Sequence, residues 1–219
     1  MKMAEPRSGF RALMYGYIIR GFPLVSLAGF VVSAYGWLRL YQYFKKKMLL
    51  PALGGVLAII ALNIALTLLP GQESPALSEN MTVQEMVNAL TLLDQELASP
   101  LTPLAIIIPA VSLVMEAIGL IALRRALAGR LPVGAPILLL FYTVLLSSSI
   151  TLMPHVESSV RSVRDSLAAG RINTTAALSM LSEAYLPYNI LDFAVVFSSL
   201  LAYIVLAYTF YKLGKTEVE

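Results

Sequence analysis

The chain of 219 residues is 58% hydrophobic and 13% charged, with a mean hydropathy of +0.77, whereas soluble domains carry about 25% charged residues. These values exclude a soluble globular fold, and a single helical bundle uses nearly the whole length, which leaves no room for a separate catalytic domain. The net charge of +3 does not point to nucleic acid, because the basic residues sit in small clusters at helix ends. The absence of cysteine excludes disulfides, thiolate metal sites and a cysteine nucleophile.

In chain order, residues 1–20 place Phe10, Leu13, Met14, Tyr17 and Ile18 on one helical face among Lys2, Arg7, Arg11 and Arg20. This pattern predicts an interfacial helix. No small-residue cleavage site follows, so the segment is expected to be retained. Beyond it, five windows free of charge, bounded by Arg20–Arg39, Lys47–Glu73, Glu96–Glu116, Arg130–Glu157 and Asp192–Lys212, are each long enough to cross a bilayer. Helices are predicted at about 21–43, 49–69, 103–124, 133–153 and 188–211. Pro23, Pro103 and Pro187 mark helix starts, where a missing N–H costs least.

The first two of these helices return as the third and fourth. Ala34, Gly36 and Lys45–Lys47 lead to Thr67, Leu68 and Pro70, and Ala117, Gly119, Arg124, Arg125 and Arg130 lead to Thr151, Leu152 and Pro154. The offset is 117 − 34 = 83 at the start and 154 − 70 = 84 at the end, which reads as a parallel internal duplication. Two polar segments, 70–102 and 154–187, follow the hairpins. The first holds a capping box, Thr82 with Glu85, ahead of an amphipathic run. The second holds two short runs broken by Gly170. Both segments are expected to lie on the membrane surface, and Val83, Met86, Leu90, Val160 and Val163 are the residues they would offer to a partner or to lipid.

With five spans the termini fall on opposite sides. Basic residues at the two short turns and the C-terminal tail put those elements in the cytoplasm and the N-terminus outside, although the basic residues before the first helix pull the other way. Two glycosylation sequons, at Asn80 and Asn173, fall on the outer side and add little.

Glu116 is the most suggestive single residue, because a carboxylate well inside the third helix costs a few kcal/mol on insertion scales unless protonated, paired or hydrated. It reads either as an ion or proton site or as a carboxyl that bonds a neighbouring helix. Arg124 stands too far along the same helix, about 12 Å, to pair with it directly. The equivalent position in the first copy is Ser33, which weakens a symmetric transport site. Asn63, Ser147 and Ser148 occupy comparable depths in the two copies and suit either a polar midplane site or bonds between helices. His155 stands alone, and no metal-ligand spacing or catalytic motif appears.

The sequence thus predicts an all-α integral membrane protein, a bundle of five transmembrane helices with amphipathic surface helices. It divides into the interfacial helix 1–20, repeats at 21–102 and 103–187, and a fifth span with its tail at 188–219. The expected function is that of a transport or translocation component, with a structural or docking subunit as the alternative. An enzyme, a cofactor, a metal and direct nucleic-acid binding are not expected. The partners expected are the lipid bilayer and either further copies of the chain or other subunits of a membrane complex.

Overall fold

All regular structure among the described residues, 6–68 and 77–216 of this computed structural model, is helical. Lys2, Pro70 and Glu73, which enter the sequence reading, lie outside the described residues. The helices are α1 (Pro6–Arg20), α2 (Ser26–Phe44), α3 (Leu50–Leu68), α4 (Val83–Leu97), α5 (Leu101–Ala126), α6 (Gly134–Ala168) and α7 (Thr174–Thr216). Among the described residues, four segments are long and apolar enough to cross a membrane: Lys47–Leu68, which includes α3, and α5, α6 and α7. The chain is therefore a multi-pass membrane protein. Helix α2 is not among the four, since Arg39, Gln42 and three tyrosines dilute its apolar character.

Local signals set the helix ends. Lys45 closes α2 in the left-handed conformation, φ 54°, with its N–H donating to the Tyr41 carbonyl at 2.8 Å. Ala128, φ 49°, closes α5, and the Gly129 N–H returns to the Arg124 carbonyl at 2.9 Å. Gly170, φ 67°, closes α6 in the same way, with the Arg171 N–H on the Ser166 carbonyl at 2.9 Å. The closures at Ala128 and Gly170 are Schellman motifs and that at Lys45 is the simpler left-handed cap; in each a left-handed residue lets the last carbonyls find donors. Asn173 then starts α7, its side-chain oxygen accepting from the Ala176 N–H at 2.8 Å.

The prolines act differently from the expectation. Helix α6 continues through Pro154 and α7 through Pro187, so the helices predicted to stop at 153 and to begin at 188 are parts of longer ones. A proline removes one backbone bond at a cost of about 3 kcal/mol, and packing along the flanking turns offsets it. At 35 and 43 residues, α6 and α7 run about 52 and 65 Å, well beyond a hydrocarbon layer of about 30 Å.

The chain forms two units, and α5, α6 and α7 contribute to both. The first unit takes residues 1–69, 107–144 and 195–219. In it α1 packs antiparallel on α2 through glycines seven residues apart on each helix. A Cβ at Gly16 would collide with the Ser33 hydroxyl, one at Gly29 would stand 2.6 Å from the Arg20 nitrogen, and one at Gly36 would stand 2.8 Å from Leu13. Much of the face of α1 expected to lie in a membrane interface is thus covered by protein, with Phe10, Leu13 and Tyr17 fully buried and Ile18 exposed. Ser8 accepts a hydrogen bond from Arg39 at 3.2 Å, and the Phe10 ring stacks on Phe210 at 6.2 Å. The start of α1 therefore shares an end of this unit with the ends of α2 and α7.

The second unit takes residues 70–106 and 145–194. Its core joins α4 to the later half of α6 and the first half of α7. Met86, Leu90, Val156, Val160, Val163, Leu167, Ala177 and Leu181 are buried together. The segments expected to lie separately on a membrane surface instead cover one another.

Candidate functional site

The chemistry of the first unit concentrates on Glu116. It sits 116 − 101 = 15 residues into α5, and its side chain is fully buried. Tyr17 and Arg20 project from one face of α1, three residues apart, and Trp37 from α2. One Arg20 nitrogen donates to Glu116 Oε2 at 2.7 Å and the other to Oε1 at 3.0 Å. The Tyr17 hydroxyl donates to Oε1 at 3.2 Å, and the Trp37 indole N–H to the same oxygen at 3.1 Å. Four donors thus converge on one carboxylate, which has about four acceptor positions. The geometry is the fork on fork arrangement that suits arginine to carboxylates.

Aromatic rings enclose the pair. The Arg20 guanidinium lies 4.2 Å from the Phe30 ring centroid and 4.7 Å from that of Tyr17. Tyr17 in turn stacks on Phe210 at 5.8 Å and meets Tyr203 at 6.1 Å. Arg20 Nε has no hydrogen-bond partner among the described residues, and the two ring contacts are made by the guanidinium carbon. A buried pair of this kind is held by geometry: the charges are neutralised only while α1 stays docked.

Of the residues singled out in the sequence, Glu116 is central here and the others are elsewhere. The Asn63 amide donates to the Ile59 carbonyl one turn back at 2.9 Å. Ser147 and Ser148 are half-buried in the part of α6 that belongs to the second unit. None of the three is a partner of Glu116. Arg124, set aside as a partner by distance, donates to the Leu131 carbonyl at 2.6 Å and braces the α5–α6 turn. Among the residues proposed to face a partner, Met86, Leu90, Val160 and Val163 are core, and only Val83 is exposed. Their apolar face is real, but α4, α6 and α7 bury it against each other.

Arg20, Tyr17 and Trp37 escaped the sequence reading. The available signal was the spacing of Gly9 and Gly16 in α1 against Gly29 and Gly36 in α2, the mark of helices in close contact. Had α1 been read as packed, Arg20 would have needed a buried anion, and Glu116 is the one acidic residue deep in a span.

Compared with family models, curated proteins and solved structures, the chain matches none.

Proposed function

We propose that this protein is a membrane-embedded subunit of a larger membrane or envelope assembly, a scaffold that carries a three-helix extramembrane unit, including one that serves a translocating machine. The observation that carries this reading is the saturation of Glu116. A carboxylate that bound and released an ion would need an acceptor free to exchange partners, and a guanidinium keeps its charge at any physiological pH. The pair is neutral as a whole, so it offers a passing cation little. Extraction in mild detergent followed by sizing and mass analysis tests the reading, with different subunits expected in fixed ratio. Recovery of a homo-oligomer that conducts ions in liposomes, with conduction abolished by Glu116→Gln, would replace it by an autonomous channel.

The same reading includes a membrane topology of four spans and a re-entrant hairpin. α1 and α2 enter and leave on the side of the short turns, in place of a fifth span, with the C-terminus on that side too. The tip is apolar: Phe22 and Val25 are exposed and Leu24 is 100% exposed, while Gly21 lies against Leu200. Of the 16 basic residues, twelve then fall on the side of the turns, with Glu5, Glu217 and Glu219. Only Arg161, Arg164 and Arg171 fall opposite, among nine acidic residues. That asymmetry supports a cytoplasmic location for both termini, and it removes the conflict posed by the basic residues before the first helix. The left-handed residues Lys45 and Ala128 are 128 − 45 = 83 apart, the offset of the sequence repeat, which supports the duplication. Because the chain lacks cysteine, Ala4→Cys and Lys46→Cys test the topology. Both should react with an impermeant maleimide only in inverted vesicles; opposite sidedness would restore a fifth full crossing.

A further inference from the structure

A cavity of about 720 Å³ opens between the α5–α6 turn and the last turns of α7, lined by Arg130, Pro132, Val205, Tyr208, Lys212 and Leu213 among others. Its walls are mostly hydrocarbon, and two cations stand among them. The Lys212 ammonium lies 4.8 Å from the Tyr208 ring centroid, and neither Lys212 nor Arg130 has a carboxylate partner among the described residues. Val205 lies within the apolar stretch of α7, whereas Lys212 and Arg130 bound that stretch and the one in α6. The cavity therefore straddles the boundary between acyl chains and headgroups, apolar inward and cationic outward.

We infer that this cavity is a binding site for an anionic phospholipid, with an acyl chain against Pro132, Val205 and Leu213 and the headgroup phosphate between Arg130 and Lys212. A soluble phosphate would satisfy the two cations but leave the apolar wall uncovered. A zwitterionic lipid would cover the wall but bring a choline ammonium towards the two cations. Only an anionic amphiphile satisfies both parts of the lining, and basic pockets among membrane helices take such headgroups for the same reason.

The test is retention of lipid by the purified full chain in mild detergent, read by native mass spectrometry, with phosphatidylglycerol, phosphatidylcholine or glycerol phosphate added. Wild type should retain phosphatidylglycerol and neither of the others. Arg130→Gln with Lys212→Gln should weaken retention about 30-fold, given the contribution of each basic residue near an anionic surface. A control of equal charge loss, Lys46→Gln with Arg125→Gln, alters a separate basic pocket at the α2–α3 turn and α5 and should retain the lipid as wild type does. Val205→Trp keeps both cations but fills the cavity, and it should also lose the lipid. Equal retention of phosphatidylcholine, binding of glycerol phosphate, an equal loss in the control pair, or full retention by the cavity variants would overturn the assignment. The measurement does not depend on orientation, which the cysteine labelling decides separately.

Discussion

Each unit of this protein pairs an acidic residue with arginine, and the two pairs sit in opposite environments. In the first unit Arg20 and Glu116 are both fully buried, 0% exposed at each side chain. In the second, Asp94 on α4 accepts from Arg164 at 2.6 Å and Arg161 at 3.2 Å, and Arg161 is half exposed and shared with Glu157. Water reaches Arg161 and can replace it beside Asp94, while Arg164 is mostly covered; nothing can replace Arg20 around Glu116 except another buried donor. The lesson is that the inner pair acts as a condition for folding, and the outer pair as an adjustment to it. Buried charges are costly chiefly when one partner is removed, whereas exposed pairs contribute little and are screened by salt.

The largest effect expected is from Glu116→Gln, which leaves the Arg20 charge buried without a counter-ion. Thermal unfolding in detergent should show a loss of about 3–5 kcal/mol, accompanied by a shift of Trp37 emission, since its indole N–H donates to Glu116 and Trp37 is the sole tryptophan. Replacing both partners, Arg20→Met with Glu116→Leu, should recover most of the loss; a double variant as unstable as the single would break the comparison. Next comes Asp94→Asn, expected to lower the unfolding temperature modestly at low salt and hardly at all at high salt. A loss independent of salt would mean that the covered Arg164, rather than the exposed Arg161, carries the pairing with Asp94.

The smallest effect sharpens the comparison at a third carboxylate. Glu85 accepts from the Thr82 N–H and hydroxyl, both at 2.8 Å. Bonding to the Thr82 backbone, then to its hydroxyl, holds the Glu85 carboxyl below its ordinary value of 4.5. A depressed folded value stabilises α4 fully above pH 4.5, and that contribution is lost as pH falls through the lowered value. Amide exchange at the first turn of α4 should therefore quicken on acidification, and Glu85→Gln should flatten the response. Exchange that quickens equally in the variant would place the acid sensitivity elsewhere.

Local chemistry was legible in the sequence and its tertiary use was not. The capping box at Thr82 and Glu85 and the break at Gly170 could be read because each depends on a few adjacent residues. The helical membrane character and the odd position of Glu116 could be read from charge alone. An amphipathic run declares that one face must be covered, but not by what; hence Met86, Leu90, Val160 and Val163 look alike as docking surface and as core. Pro154 and Pro187 declare a local penalty, and whether a helix stops there depends on packing that the chain supplies from afar. Gly54 faces open space, while a Cβ at Gly55 beside it would stand 2.8 Å from the Ser112 carbonyl oxygen. One residue turns a helix by about 100°, enough to exchange a buried face for an exposed one.

The pairing of Arg20 with Glu116 also sets a timetable. The two residues are 96 positions apart, and at a synthesis rate of about 5–20 residues per second roughly 5–20 s separate their emergence. Phe210, whose ring stacks on Tyr17, comes later still, 210 − 116 = 94 residues after Glu116. Through that interval the first helix carries an arginine with no counter-ion at its intended depth. Helix α1 thus leaves the ribosome well before it can reach its final place, and the nascent chain must keep α1 near water until the acidic residue meant for it arrives.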